Sequence, residues 1–220
     1  KDKLPSDKYL FDKAIRKFSK STAQGKLGEL LLYLFLEVYF KAPKILSKIA
    51  TLDDRNIHVK GADAVHAQYV NDTFMLYLGE SKLWQQYSGA CLDSAKSMAT
   101  TLDDYQGEFD LIETSIDFPG MSDALEKEIL RILNPYDRKG PPQNVHLPCF
   151  IGFDSSICSG ISSAAEYETN YRRAAQARIN TFFGHVEGRV DIDIVSLILM
   201  PFESVESFTD QFVKTLGVQE

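Results

Sequence analysis

One strand constrains this chain more than any other stretch: it is apolar on both faces, yet carries a carboxylate and an ammonium near its end. From Thr73 to Leu83 almost every residue is apolar except Glu80, Ser81 and Lys82. Side chains alternate along a strand, so Phe74, Leu76, Leu78, Glu80 and Lys82 share one face. Met75, Tyr77, Gly79 and Leu83 fall on the other, and both faces are expected to be covered. Unpaired buried charges are costly, so Glu80 and Lys82 require partners.

The preceding strand supplies one. Asn71-Asp72 suits a two-residue hairpin turn, because both residue types tolerate positive φ. With Val70 opposite Thr73, Asp63 is expected opposite Glu80, on the same face. Two carboxylates that close repel by about 4 kcal/mol at an effective dielectric near 20. A divalent cation between them removes that penalty. A one-residue slip would reverse every side chain, so the expectation rests on the turn. His66 is expected on the opposite side from Asp63, as a structural or surface histidine. Ser81 is expected to point away from the pair.

The other elements follow from periodicity. Residues 1–20 read as a basic amphipathic helix or arm, with either a solvated lysine face or contacts to phosphate. Residues 21–220 read as a single domain, with a core over about 21–106 and further strands and helices over 107–220. Ser21 or Thr22 can cap a helix that runs to about Phe40. Glu29 within it is either favoured by the helix dipole or a third acidic group aimed at the hairpin. A strand is expected within 45–60, a helix over 85–106 and another over 108–133. A loop follows over 134–144. Then come a strand over 145–153, a helix over 164–183, a strand over 191–200 bounded by Pro201, and a helix over about 204–216. Strands separated by helices imply an α/β fold with a partly parallel sheet.

Charge and cysteine usage narrow the setting. The net charge is −7, unevenly spread. Residues 1–26 hold eight Lys/Arg against three Asp, while residues 27–220 hold sixteen Lys/Arg against twenty-eight Asp/Glu. Such a body is poorly matched to nucleic acid by itself. Weak binding, local patches or delivery by a partner is expected. Cys91, Cys149 and Cys158 show neither a disulfide framework nor a metal spacing, as expected of a cytoplasmic protein. The most apolar run, Leu30 to Phe40, contains Glu37 and is shorter than the roughly 20 residues a membrane span needs. A secretory leader is not expected, and Lys1 in place of Met is expected of a fragment or processed chain.

An acid on one hairpin strand and Glu-x-Lys at the end of the other fits metal-dependent phosphodiester hydrolysis. Asp63 and Glu80 would hold Mg²⁺, with the Ser81 backbone carbonyl as a further ligand. The metal would lower the pKa of a bound water. Lys82 would orient or deprotonate that water and offset developing charge. The competing reading is a buried ion pair that serves only structure. Arg172, Arg173 and Arg178 on the 164–183 helix are either a solvated face or contacts to DNA or a partner.

The helix bearing Glu29, together with Asp63 and Glu80-Ser81-Lys82, resembles the PD-(D/E)xK nuclease superfamily. That resemblance implies an α-β-β-β-α-β restriction-endonuclease-like core: a mixed sheet flanked by helices, here with a C-terminal α/β elaboration. Ala62-Asp63 stands where a Pro-Asp would be. More narrowly, three segments resemble the HamA family, the nuclease subunits of Hachiman anti-phage systems. They are Gly28-Glu29-Leu30, His58-Val59-Lys60-Gly61-Ala62-Asp63-Ala64-Val65-His66 and Leu78-Gly79-Glu80-Ser81-Lys82-Leu83. This implies a cytoplasmic bacterial effector that degrades DNA with Mg²⁺ (Mn²⁺ as substitute) under the control of a helicase partner, HamB. It makes Asp63, Glu80 and Lys82 the catalytic set, with Glu29 as a supporting metal contact and Lys60 as a further contact to DNA or partner. An inactive nuclease-fold adaptor and an RNA nuclease remain as alternatives.

Overall fold

The structure is a computed structural model. It describes residues 21–42, 44–46, 62–71, 73–103 and 145–217, with isolated positions before residue 21. The expected basic N-terminal helix, His58, Lys60, the 108–133 helix and the 134–144 loop lie outside the described residues.

The elements run α1 (Ala23–Val38), β1 (Lys44–Leu46), β2 (Ala64–Val70), β3 (Thr73–Leu83), α2 (Tyr87–Asp103), β4 (Val145–Asp154), α3 (Ala164–Val186), β5 (Val195–Phe202) and α4 (Val205–Leu216). Among the described residues, five strands form one mixed sheet in the order β1-β2-β3-β4-β5. β1, β2 and β3 pair antiparallel, and β4 and β5 add in parallel. The α/β class and the partly parallel sheet are as the sequence predicts.

The hairpin has the expected register. Val70 lies opposite Thr73, and the ladder runs unbroken to Ala64 opposite Gly79. Asn71 makes this possible by adopting a φ of 49°, in the left-handed region asparagine tolerates. β3 is central: β2 pairs with it from Thr73 to Gly79 and β4 from Leu76 to Leu83.

α1 packs one face of the sheet through Leu27, Leu32 and Leu36. Gly28 allows the close approach: a Cβ there would meet Leu83 Cβ at 3.3 Å and Ser81 Oγ at 3.5 Å. α4 joins this layer through Val205, beside Leu27, Leu83 and Phe202. Ala90, Cys91, Ala95 and Met98 of α2 and Phe182 and Val186 of α3 cover the opposite face. Among the described residues, two helices on each side of a mostly buried sheet give three layers around β3 and β4.

Three local expectations are corrected. Thr22 occupies the cap position of α1, but its side chain makes no capping bond. Its hydroxyl turns back to Ser19 O instead. The strand expected from residue 191 begins at Val195, because Asp191 Oδ1 accepts from Asp193 N at 3.0 Å and holds a short 3-10 turn, Ile192–Ile194. Pro201 lies inside β5, opposite Phe153, rather than ending it. β5 is the last strand in the sheet order, where a missing N–H breaks no ladder on the outer side.

Candidate active site

The site lies at the C-terminal end of β3, under the first half of α2. Glu80 and Lys82 face α2, as alternation requires, and Ser81 faces α1. Glu80 is 3% exposed. Its two oxygens are divided between two elements: Lys82 Nζ lies 2.7 Å from Oε1, and Ser97 Oγ donates to Oε2 at 2.7 Å. Lys82 Nζ also lies 3.1 Å from Asp93 Oδ2. The charged pair inside the strand is therefore answered from α2.

Asp63 sits one residue before β2, at a bend. The ladder stops at Ala64, so direct cross-strand opposition of Asp63 and Glu80 is not realised. Instead the Asp63 N–H donates to Gly79 O at 2.8 Å. Its Oδ2 accepts from the Ser81 N–H at 2.9 Å and from Ser81 Oγ at 3.0 Å. The carboxylate thus stands in for a β2 partner at Ser81, which pairs with Phe150 of β4 on its other side. The expectation for Ser81 is corrected accordingly: its side chain faces away from Glu80 and Lys82, but its hydroxyl holds Asp63.

Electrostatics tie the three charges together. Burial, followed by the nearby Asp63 charge, pushes the Glu80 carboxyl up to about 7, although Lys82 and Ser97 oppose the shift. Burial alone would lower the Lys82 pKa; the Glu80 carboxylate and the bonds to Glu80 and Asp93 outweigh it and hold the ammonium charged. Asp63 and Glu80 offer hard oxygen donors where a cation can replace a proton. That donor set fits Mg²⁺, which takes one or two carboxylates and keeps waters in its remaining positions.

Glu29 is on α1, on the other side of the sheet from Glu80, and its carboxylate accepts from Lys26 Nζ at 3.0 and 3.2 Å. Among the described residues no group of three or more His, Cys, Asp or Glu side chains is arranged to hold a metal ion. The Asp63 charge lies near enough to Glu80 to add to the upward shift that burial causes. The HamA family model matches residues 1–216 of the 220. The chain belongs to the HamA family. That family makes it a protein related to Hachiman anti-phage defence, a system with a partner subunit. No curated protein and no solved structure matches it.

The three arginines separate. Arg172 is exposed and paired with Glu168 at 2.7 Å, one turn away. Arg173 is exposed, with Asn170 Oδ1 at 3.4 Å. Arg178 instead stacks over Phe153, 4.7 Å from the ring centroid, and lies 5.8 Å from the centroid of Tyr87. It cements α3 to the sheet, so only Arg172 and Arg173 present a solvated face. His66 is fully buried on the α1 side, with Nδ1 2.8 Å from Ala42 O, and burial lowers its pKa. It is structural.

Asp93 and Ser97 were not among the sequence candidates. Their signal is an i, i+4 pair beside the buried row Cys91, Ala95 and Met98. In sequence such a pair is indistinguishable from the solvated rim of any amphipathic helix.

Proposed function

We propose that this chain is the nuclease subunit of a Hachiman system, hydrolysing phosphodiester bonds in DNA with Mg²⁺ under the control of the helicase partner HamB. The observation that carries the reading is the Glu80–Lys82 pair on a buried strand, within reach of the Asp63 charge. The element order α1-β1-β2-β3-α2-β4 agrees with a PD-(D/E)xK core, with α3, β5 and α4 as its elaboration.

Asp63 and Glu80 would hold the cation, with the Ser81 carbonyl as a candidate further ligand; Glu29, across the sheet and paired with Lys26, falls outside this set. The metal, when bound, supplies Lewis-acid polarisation of the phosphate and a more acidic water. The chain's own residues do the rest. Ser81 fixes the Asp63 carboxylate through two donors. Ser97 fixes one Glu80 oxygen. Lys82, kept charged, would orient the attacking water and offset charge developing on the phosphate. The acidic body suits delivery to DNA by a helicase better than tight autonomous binding. A cytoplasmic setting agrees with the buried, unbridged Cys91 and Cys149. No helix among the described residues is long and apolar enough to cross a membrane.

The direct test incubates the purified protein with linear, circular and single-stranded DNA, in Mg²⁺ or EDTA, beside Lys82→Ala. Metal-dependent cleavage lost in the variant is the expected result; cleavage retained by Lys82→Ala would remove the site assignment. The closed Lys82–Glu80 contact favours a second reading, a structural ion pair in an inactive adaptor. That reading predicts no cleavage of DNA or RNA at any metal concentration. Cleavage of RNA alone would change the substrate and keep the site.

A further inference from the structure

We propose that Asp93 is a positioning residue that holds the Lys82 ammonium in the site when a cation takes its other partner, Glu80. The proposal rests on the nuclease reading above. It begins from an arrangement that spans two elements. One turn of α2, from Asp93 to Ser97, brackets the Glu80-Ser81-Lys82 segment of β3. Asp93 Oδ2 lies 3.1 Å from Lys82 Nζ, and Ser97 Oγ lies 2.7 Å from Glu80 Oε2.

A lysine ammonium is a compact charge on a flexible stem, with three donors that swivel freely. Held by one carboxylate, it follows that carboxylate. Here Nζ is held by two, Glu80 from its own strand and Asp93 from the next helix. The Lys82 side chain is 18% exposed and that of Glu80 4%, while that of Asp93 is 49% exposed. Asp93 therefore approaches Lys82 from the solvent side, where substrate and cation must also arrive.

Glu80 Oε1 is both the lysine's nearest acceptor and a candidate metal donor, so cation and ammonium compete for it. With Asp93 present, Lys82 gives up Glu80 and stays anchored beside it. Without Asp93, Nζ keeps only Glu80, and the cation must displace it. Loss of the Asp93 carboxylate is therefore expected to weaken cation binding and to slow cleavage, with substrate affinity unaffected.

The test uses the purified full chain as wild type, Asp93→Asn and Asp93→Glu. Mn²⁺ affinity is measured by calorimetric titration without DNA, and kcat and KM on linear DNA with Mg²⁺. Asp93→Asn is expected to weaken Mn²⁺ binding about tenfold or more and to lower kcat by about 10–100-fold, with KM unchanged. Asp93→Glu is expected to recover part of both losses. Mn²⁺ affinity unchanged in Asp93→Asn overturns the proposal whatever the cleavage rate does, as does a wild type that binds no Mn²⁺. A wild type that binds Mn²⁺ but cuts no nucleic acid removes the nuclease reading alone. The titration then still decides whether Asp93 relieves competition at Glu80.

Discussion

The two faces of β3 do different work although their residues alternate one by one. Toward α1, Tyr77, Gly79 and Leu83 meet Leu32, Phe150, Leu27 and Phe202 in a dry layer. Its buried ionisable group, His66, is kept neutral by burial and bonded to Ala42. Toward α2 the strand begins in the same way, with Leu76 and Leu78. It then presents Glu80 and Lys82 to Asp93 and Ser97. The first face has every reason to add to stability. The second holds a buried glutamate and a lysine beside Asp93, an arrangement that packed apolar side chains would often match or exceed in stability. Stability and chemistry are thus separated by the side of one strand, within a span of three residues.

Mutations on the two faces test that separation most sharply. Lys82→Ala is expected to reduce DNA cleavage by about 10²–10⁴-fold while the thermal transition stays cooperative. Leu32→Ala, on the dry face, is expected to cost about 2–5 kcal/mol of stability in denaturant titration. Cleavage per folded molecule should be unchanged. If Leu32→Ala lowered the rate at full folding as much as Lys82→Ala, the faces would not be separable.

Much of this division is legible in the sequence, because the hairpin register follows from Asn71 and the alternation from the strand. The rest was hidden for identifiable physical reasons. Asp63 lies one residue outside the ladder, where alternation no longer dictates direction, and its carboxylate turns to Ser81. Asp93 and Ser97 belong to a helix rim, and nothing in a helix's own periodicity reveals which neighbouring strand it covers. Arg178 looks like its exposed neighbours in sequence, but its turn of α3 faces Phe153 and Tyr87. Pro201 reads as a strand terminator unless the strand is known to be at the sheet edge.

The faces should also respond oppositely to pH. The Glu80 carboxyl is pushed from its ordinary 4.5 to about 7 by burial and by Asp63. Between those values the folded chain keeps a proton that the unfolded chain has lost. Its contribution to stability is therefore fully present below the unfolded pKa and lost as pH rises through about 7. The loss is on the order of 3 kcal/mol. His66 acts in the other direction: its pKa is lowered, so its contribution is present above its ordinary 6.5 and lost as pH falls below that. Subtracting the pH–stability curve of Glu80→Gln from that of the metal-free wild type removes the histidine and leaves the glutamate. The difference is expected to fall with rising pH and then level off; a flat difference would mean that Glu80 is not strained by its surroundings.

A divalent cation should stabilise one face and leave the other alone. Binding to the folded chain only, at a hundredfold excess over its dissociation constant, adds about 2.7 kcal/mol. Asp63→Asn removes one of the two candidate metal carboxylates and is expected to lose most of that increment in thermal melts with and without Mg²⁺. Leu32→Ala starts from a lower melting temperature but should keep the whole increment, because its deficit lies in packing on the opposite side of the sheet. The pair of outcomes carries more information than either alone. An increment kept by Asp63→Asn would place the cation away from the β2–β3 end. An increment lost in Leu32→Ala would mean that the dry layer holds Ser81, and through it Asp63, in position.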